Sequence, residues 1–110
     1  MTNIVFYRKN GKIVRYKVSG HTGKAEYGKD ILCSAISTAV QTIAVGITEV
    51  LNLEPKKIKI DDGYFEIEVK DEDVANENVQ ILLETGLKTL KEIVKNDKKF
   101  VKLEEKNEIV

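Results

Sequence analysis

His21 and Cys33 stand twelve positions apart in this 110-residue chain, and each is the sole residue of its type. A cysteine attacks as the thiolate. An imidazole is the side chain suited near neutral pH to take the thiol proton and later hand it to a leaving amine. The pair therefore points to nucleophilic acyl chemistry. His21 is set among glycines, in Gly20-His21-Thr22-Gly23, with Tyr27-Gly28-Lys29-Asp30 following. Closing a loop of about twelve residues costs roughly 2 kcal/mol. Packing can offset that, so the imidazole can return to the thiol.

Asp30 reads as an N-cap, and the spacing predicts a helix from there to about Asn52, ahead of Pro55. Cys33 then falls in the first turn. Backbone N–H groups there lack intrahelical partners, and the helix dipole adds about half a positive charge. Both favour a thiolate. The same N–H groups suit an acyl oxyanion, unless Asp30 takes them as a cap; the residues leave that choice open.

A blander reading stands beside this one. A lone cysteine in an apolar helix is often a small buried hydrophobe, and a lone histidine in a glycine-rich loop is often only exposed. Cys33 is one residue off the Leu32–Ile36 stripe, on the side shared with Ser37, which weakens that reading. As a metal set, His21, Asp30 and Cys33 are three unlike ligands with one thiol, a weak pattern. Gly20-x-x-Gly23 matches the RNA-clamping Gly-x-x-Gly only loosely, with Lys24 and Lys29 as basic neighbours. A redox role lacks a second, resolving cysteine.

The elements that must position these residues follow from patterning. Ile4–Arg8 and Ile13–Val18 flank Asn10-Gly11, a hairpin signal. The long helix carries Leu32, Ile36, Ala39, Val40, Ile43, Ile47, Val50 and Leu51 at helical spacing. Its other side is small and hydroxylated, with no charge between Ile31 and Thr48. A second hairpin, Lys56–Ile60 and Tyr64–Val69, turns at Asp61-Asp62-Gly63, with Phe65, Ile67 and Val69 inward against Glu66 and Glu68. Val79, Leu82, Leu83, Gly86, Leu87, Leu90, Ile93 and Val94 stripe a second helix. A short strand at Phe100–Leu103 ends the order ββαββαβ, with 104–110 as a frayed tail. The fold class is α+β: a mixed or antiparallel sheet with two helices packed on one face.

Length fits one domain, 1–110. Eighteen basic residues balance eighteen acidic ones, which argues against a purely electrostatic nucleic-acid binder. One cysteine cannot form an internal disulfide. The N-terminus lacks the basic head and apolar run of a signal peptide, and the hydroxyls along Ile31–Thr48 suit hydrocarbon poorly. A reduced cytoplasmic protein is the expectation.

Gly20-His21 with Tyr27-Gly28-Lys29-Asp30-Ile31-Leu32-Cys33-Ser34-Ala35-Ile36-Ser37 closely resembles the signature of the ribosomal-processing cysteine proteases, the Prp family. Gly63 and Leu87-x-x-Leu90-x-x-Ile93 fit the same layout, so the likeness covers most of residues 4–103. It implies an endopeptidase that removes the short N-terminal extension of large-subunit ribosomal protein twenty-seven, cutting after an aromatic pair. Cys33 would be the nucleophile and His21 its base and acid, with Asp30 and Ser37 in support. Gly20, Gly23 and Gly28 would belong to a lid over the peptide. The family is dimeric, so a homodimer would cover the uncharged helix face. No cofactor, metal, membrane or direct nucleic-acid contact is implied. Where the family often has Tyr-Pro before the last strand, this chain has Asp97-Lys98-Lys99. The alternative is a non-catalytic ribosome-associated binding module with a buried structural cysteine.

Overall fold

The computed structural model describes residues 1–20 and 26–108, and for residues 26–30 the backbone alone. Two strands rich in β-branched and aromatic residues open the chain, β1 (Thr2–Lys9) and β2 (Lys12–Ser19). Asn10 and Gly11 join them at φ of 55° and 82°, the left-handed pair that a two-residue hairpin turn requires. Helix α1 (Glu26–Val45) follows and widens into a π-helical turn at Gly46–Val50. The hairpin β3 (Lys57–Asp61) and β4 (Tyr64–Glu68) leads through a 3-10 turn at Asp71–Asp73 to α2 (Glu77–Val94) and β5 (Val101–Asn107). Asn76 caps α2, accepting from the N–H groups of Asn78 and Val79.

The order is the expected ββαββαβ. The strands form one mixed sheet, β3-β4-β2-β1-β5, antiparallel except where β5 runs parallel to β1. Both helices pack on one face. There Ile4, Phe6, Ile13, Tyr16 and Ile67 of the strands meet Leu32, Ile36, Val40 and Ile43 of α1 and Val79, Leu83, Leu87 and Leu90 of α2. Polar ties then fix the helices on the sheet. The Tyr16 hydroxyl donates to the Val40 carbonyl at 2.8 Å. Gln80 exchanges two hydrogen bonds with the Ile13 backbone, and Arg8 grips Glu84 through both terminal nitrogens. The stretch Ile31–Val50 is long and apolar enough to cross a membrane, but here its stripe is buried as the core helix of the fold.

Two boundaries correct the sequence reading. Helix α1 starts at Glu26, so Gly28 and Asp30 lie inside it, and Asp30 is not its N-cap. One interior glycine costs only about 1 kcal/mol, too little to stop a helix by itself. Strand β5 runs to Asn107, so residues 104–107 are paired strand rather than frayed tail. Charged residues hid it: Arg8 bonds Glu105 at 2.8 Å, Lys91 bonds Glu105 at 2.7 Å, and Arg15 bonds Glu108 at 2.7 Å.

The helix-free face holds a further surprise. Glu66, expected to face water, is 1% exposed. Its carboxylate accepts from Arg15 at 3.0 Å, from Lys57 at 3.0 Å and from the Tyr64 hydroxyl at 2.9 Å. Burial pushes this carboxyl up; the three donors outweigh it and hold the group at about 2.

Candidate active site

Cys33, Ser37 and Gln41 are four residues apart on α1, hence on one face, and all three line a single cleft. Gln41 Nε2 donates to Ser37 Oγ at 2.7 Å, so the serine hydroxyl is held one turn beyond the thiol. The β3–β4 hairpin supplies the facing wall through Ile60, Asp61, Asp62, Tyr64 and Phe65, and Thr2, Val18 and Gly20 close the cleft between them. Its volume is about 350 Å³, room for a few side chains. Phe65 belongs to a row of stacked rings, with Tyr16 at 6.0 Å and Phe6 a further 5.2 Å along. That row seats the hairpin wall on the core. Charge in the cleft is one-sided: its described lining carries two carboxylates and no cation.

Cys33 is half-buried and lies outside the core cluster, which overturns the reading of a buried structural cysteine. Its place on the helix also differs from expectation. It is the eighth residue of α1 rather than one of the first turn. Only the first four N–H groups of a helix lack partners, and the dipole's effect fades within that turn. Free first-turn amides therefore do not account for a thiolate or an oxyanion site at Cys33.

His21 and Gly23 lie outside the described residues, as does the side chain of Asp30. What is described is the departure point of that segment. Gly20 donates its N–H to the Gly63 carbonyl at 2.9 Å and holds φ at 87°. A side chain there would collide with the Met1 carbonyl. The chain thus leaves β2 at the cleft wall one residue before His21.

Thr2, Gln41, Asp61 and Asp62 line the cleft without having been singled out in the sequence. Gln41 was within reach, since it repeats the step from Cys33 to Ser37. The other three arrive only through sheet order, which no local pattern encodes. On the far side of α1, Ala35, Ala39 and Thr42 face Thr85 and Gly86 of α2 across a shallow apolar groove of about 520 Å³.

A half-exposed thiol on the helical wall of a mostly apolar cleft, in an α+β fold, is an arrangement open to cysteine-dependent enzyme chemistry. Residues 1–102 match the family of the cysteine protease Prp; the chain belongs to that family and is a cysteine protease. The ribosomal processing cysteine protease Prp of Staphylococcus aureus is 32% identical over 83 residues, 76% of this chain and 77% of that protein. Among solved structures, SMU.848 from Streptococcus mutans matches with a TM-score of 0.85 at 26% identity, over 98% of this chain and 96% of that one. The essential Prp protease of Staphylococcus aureus, in complex with a covalently linked product peptide, matches with a TM-score of 0.85 at 28% identity, over 96% of this chain and 100% of that one.

Proposed function

We propose that Cys33 is the nucleophile of a thiol protease that removes the N-terminal extension of large-subunit ribosomal protein twenty-seven, cutting after an aromatic pair. The observation that carries this is the setting of the chain's single cysteine: half-exposed, on the wall of an apolar cleft, in a member of a cysteine protease family. The Staphylococcus aureus relatives add support, since one is named for ribosomal processing and its structures hold substrate or product peptides.

In this reading an extended peptide lies along the cleft, and its aromatic side chains rest against Ile60 and Phe65. The Cys33 sulfur attacks the scissile carbonyl, and the carbon–nitrogen bond breaks as His21 delivers a proton to the departing amine. Water then hydrolyses the thioester, with His21 taking its proton, and the thiol is restored. Because Cys33 sits beyond the first helical turn, the imidazole carries the activation. Ser37 and Asp30 act in support along the same helix. A second copy of the chain covers the α1–α2 groove to form a homodimer, and the protein works in the cytoplasm, where its lone thiol stays reduced.

Incubation with a peptide carrying the extension, followed by mass spectrometry of the products, tests this. Wild-type protein should yield one cut after the aromatic pair. Cys33→Ala should yield none, and His21→Ala should be slower by about a hundredfold or more. Cutting by Cys33→Ala at the wild-type rate would refute the assignment.

A further inference from the structure

The β3–β4 turn gives the cleft a chemical preference. From its geometry we infer that Asp61 and Asp62 select peptides bearing a lysine or arginine close to the apolar residues that fill the cleft, an inference that rests on the cleft being the peptide site. Both carboxylates line the cleft, both are exposed, and no described residue pairs with either. Elsewhere the acids of this sheet are committed: Glu66, Glu68, Glu104, Glu105 and Glu108 all have cationic partners. Turn chemistry accounts for Asp62-Gly63. Asp61, the last residue of β3, precedes that pair at a position that also favours aspartate; what sets it apart is that it lines the cleft with no described partner.

An independent observation also points to a ligand. Thr2 is 3% exposed and lines the same cleft, yet its Oγ1 is buried with no hydrogen-bond partner. Buried hydroxyls are rarely left so. A peptide backbone lying against Thr2 would offer a partner of the right kind, whereas a purely apolar ligand would not. Next to the acids stand Ile60 and Phe65, so one stretch of peptide meets apolar wall and carboxylate together. The bond from Gly20 to Gly63 at 2.9 Å keeps the turn at the rim.

The test uses fluorogenic peptides with an aromatic pair before the cut and lysine, alanine or glutamate placed in turn at each neighbouring position. At one or more positions, lysine should raise kcat/KM over alanine by about three- to tenfold, chiefly through KM, and glutamate should lower it. Asp61→Asn with Asp62→Asn keeps a turn-forming pair and should bring the lysine-to-alanine ratio to about one. Added salt should flatten the wild-type preference. A wild-type protein indifferent to lysine at every position overturns the inference, as does a preference that survives the double substitution. Anisotropy of the same peptides on Cys33→Ala protein reads the ratio without turnover, so absence of cleavage counts against the protease reading and leaves this one decided by binding.

Discussion

Replacing Glu66 with glutamine should destabilise the fold at neutral pH, and the penalty should disappear in acid. The carboxyl is 1% exposed and lies between Arg15, Lys57 and Tyr64. Burial works against its charge, but those donors lower its pKa from the ordinary 4.5 to about 2 in the folded chain. A difference of that size corresponds to about 3 kcal/mol at most. The Lys57 side chain is 52% exposed, so solvent screens its share, and about 1–3 kcal/mol is the expected loss. The folded state holds the proton less tightly than the unfolded one. The contribution is therefore complete above the unfolded value of 4.5 and is lost as pH falls towards about 2. Urea denaturation of wild-type and Glu66→Gln proteins, from neutral pH down to about pH 3, measures the gap directly. The gap should be widest at neutral pH and shrink steadily below 4.5. An equal gap at both ends of the range, or none at neutral pH, would refute the account.

Two other substitutions probe the parts that hold the cleft. Gly86→Ala gains about 1 kcal/mol of helix propensity, but the added methyl collides with Ile43, a core side chain only 2% exposed. Overpacking of about 1–3 kcal/mol should win, lowering the urea midpoint, and Ile43→Ala in the same background should show favourable coupling; a midpoint at or above wild type for Gly86→Ala alone counts against this. Gly20→Ala combines a φ of 87° with a clash at the Met1 carbonyl and should cost about 1–3 kcal/mol. Because His21 follows it, peptide turnover should fall even at temperatures where the variant stays folded. Unchanged melting and turnover would show that the rim tolerates a side chain.

Much of the fold was legible because local chemistry and tertiary structure agree. Asn10-Gly11 and Asp61-Asp62-Gly63 turn where such residues should, and the α2 stripe is buried at Val79, Leu83, Leu87, Leu90 and Val94. Gly28 did not stop α1, since one glycine is only a weak breaker. The other failures share a cause: nonlocal partners outweighed local signals. Glu104, Glu105 and Lys106 look like a tail until β1 and Arg8 are beside them. Glu66 alternates like a wet residue, but Arg15 is brought over it by a strand fifty residues away. In the cleft, the α1 wall was readable from Cys33 and Ser37. The hairpin wall was not, since it depends on β4 pairing with β2.

The displacement of Cys33 from the helix end reshapes the mechanism more than any other departure. A thiol in the first turn would stand alone above the free amides. Two turns in, it heads a row with Ser37 and Gln41. At about 1.5 Å per residue that row runs roughly 12 Å along the cleft. An extended peptide advances about 3.3 Å per residue, so the row accompanies three or four of its residues. In the proposed mechanism the helix would then serve as a side wall along the substrate, and the base that acts on the thiol would come from outside the helix. On that reading the step from Gly20 to His21 matters to rate through the imidazole it delivers. A helix whose buried stripe runs through Leu32, Ile36, Val40 and Ile43 can present Cys33 on another face without giving up that packing.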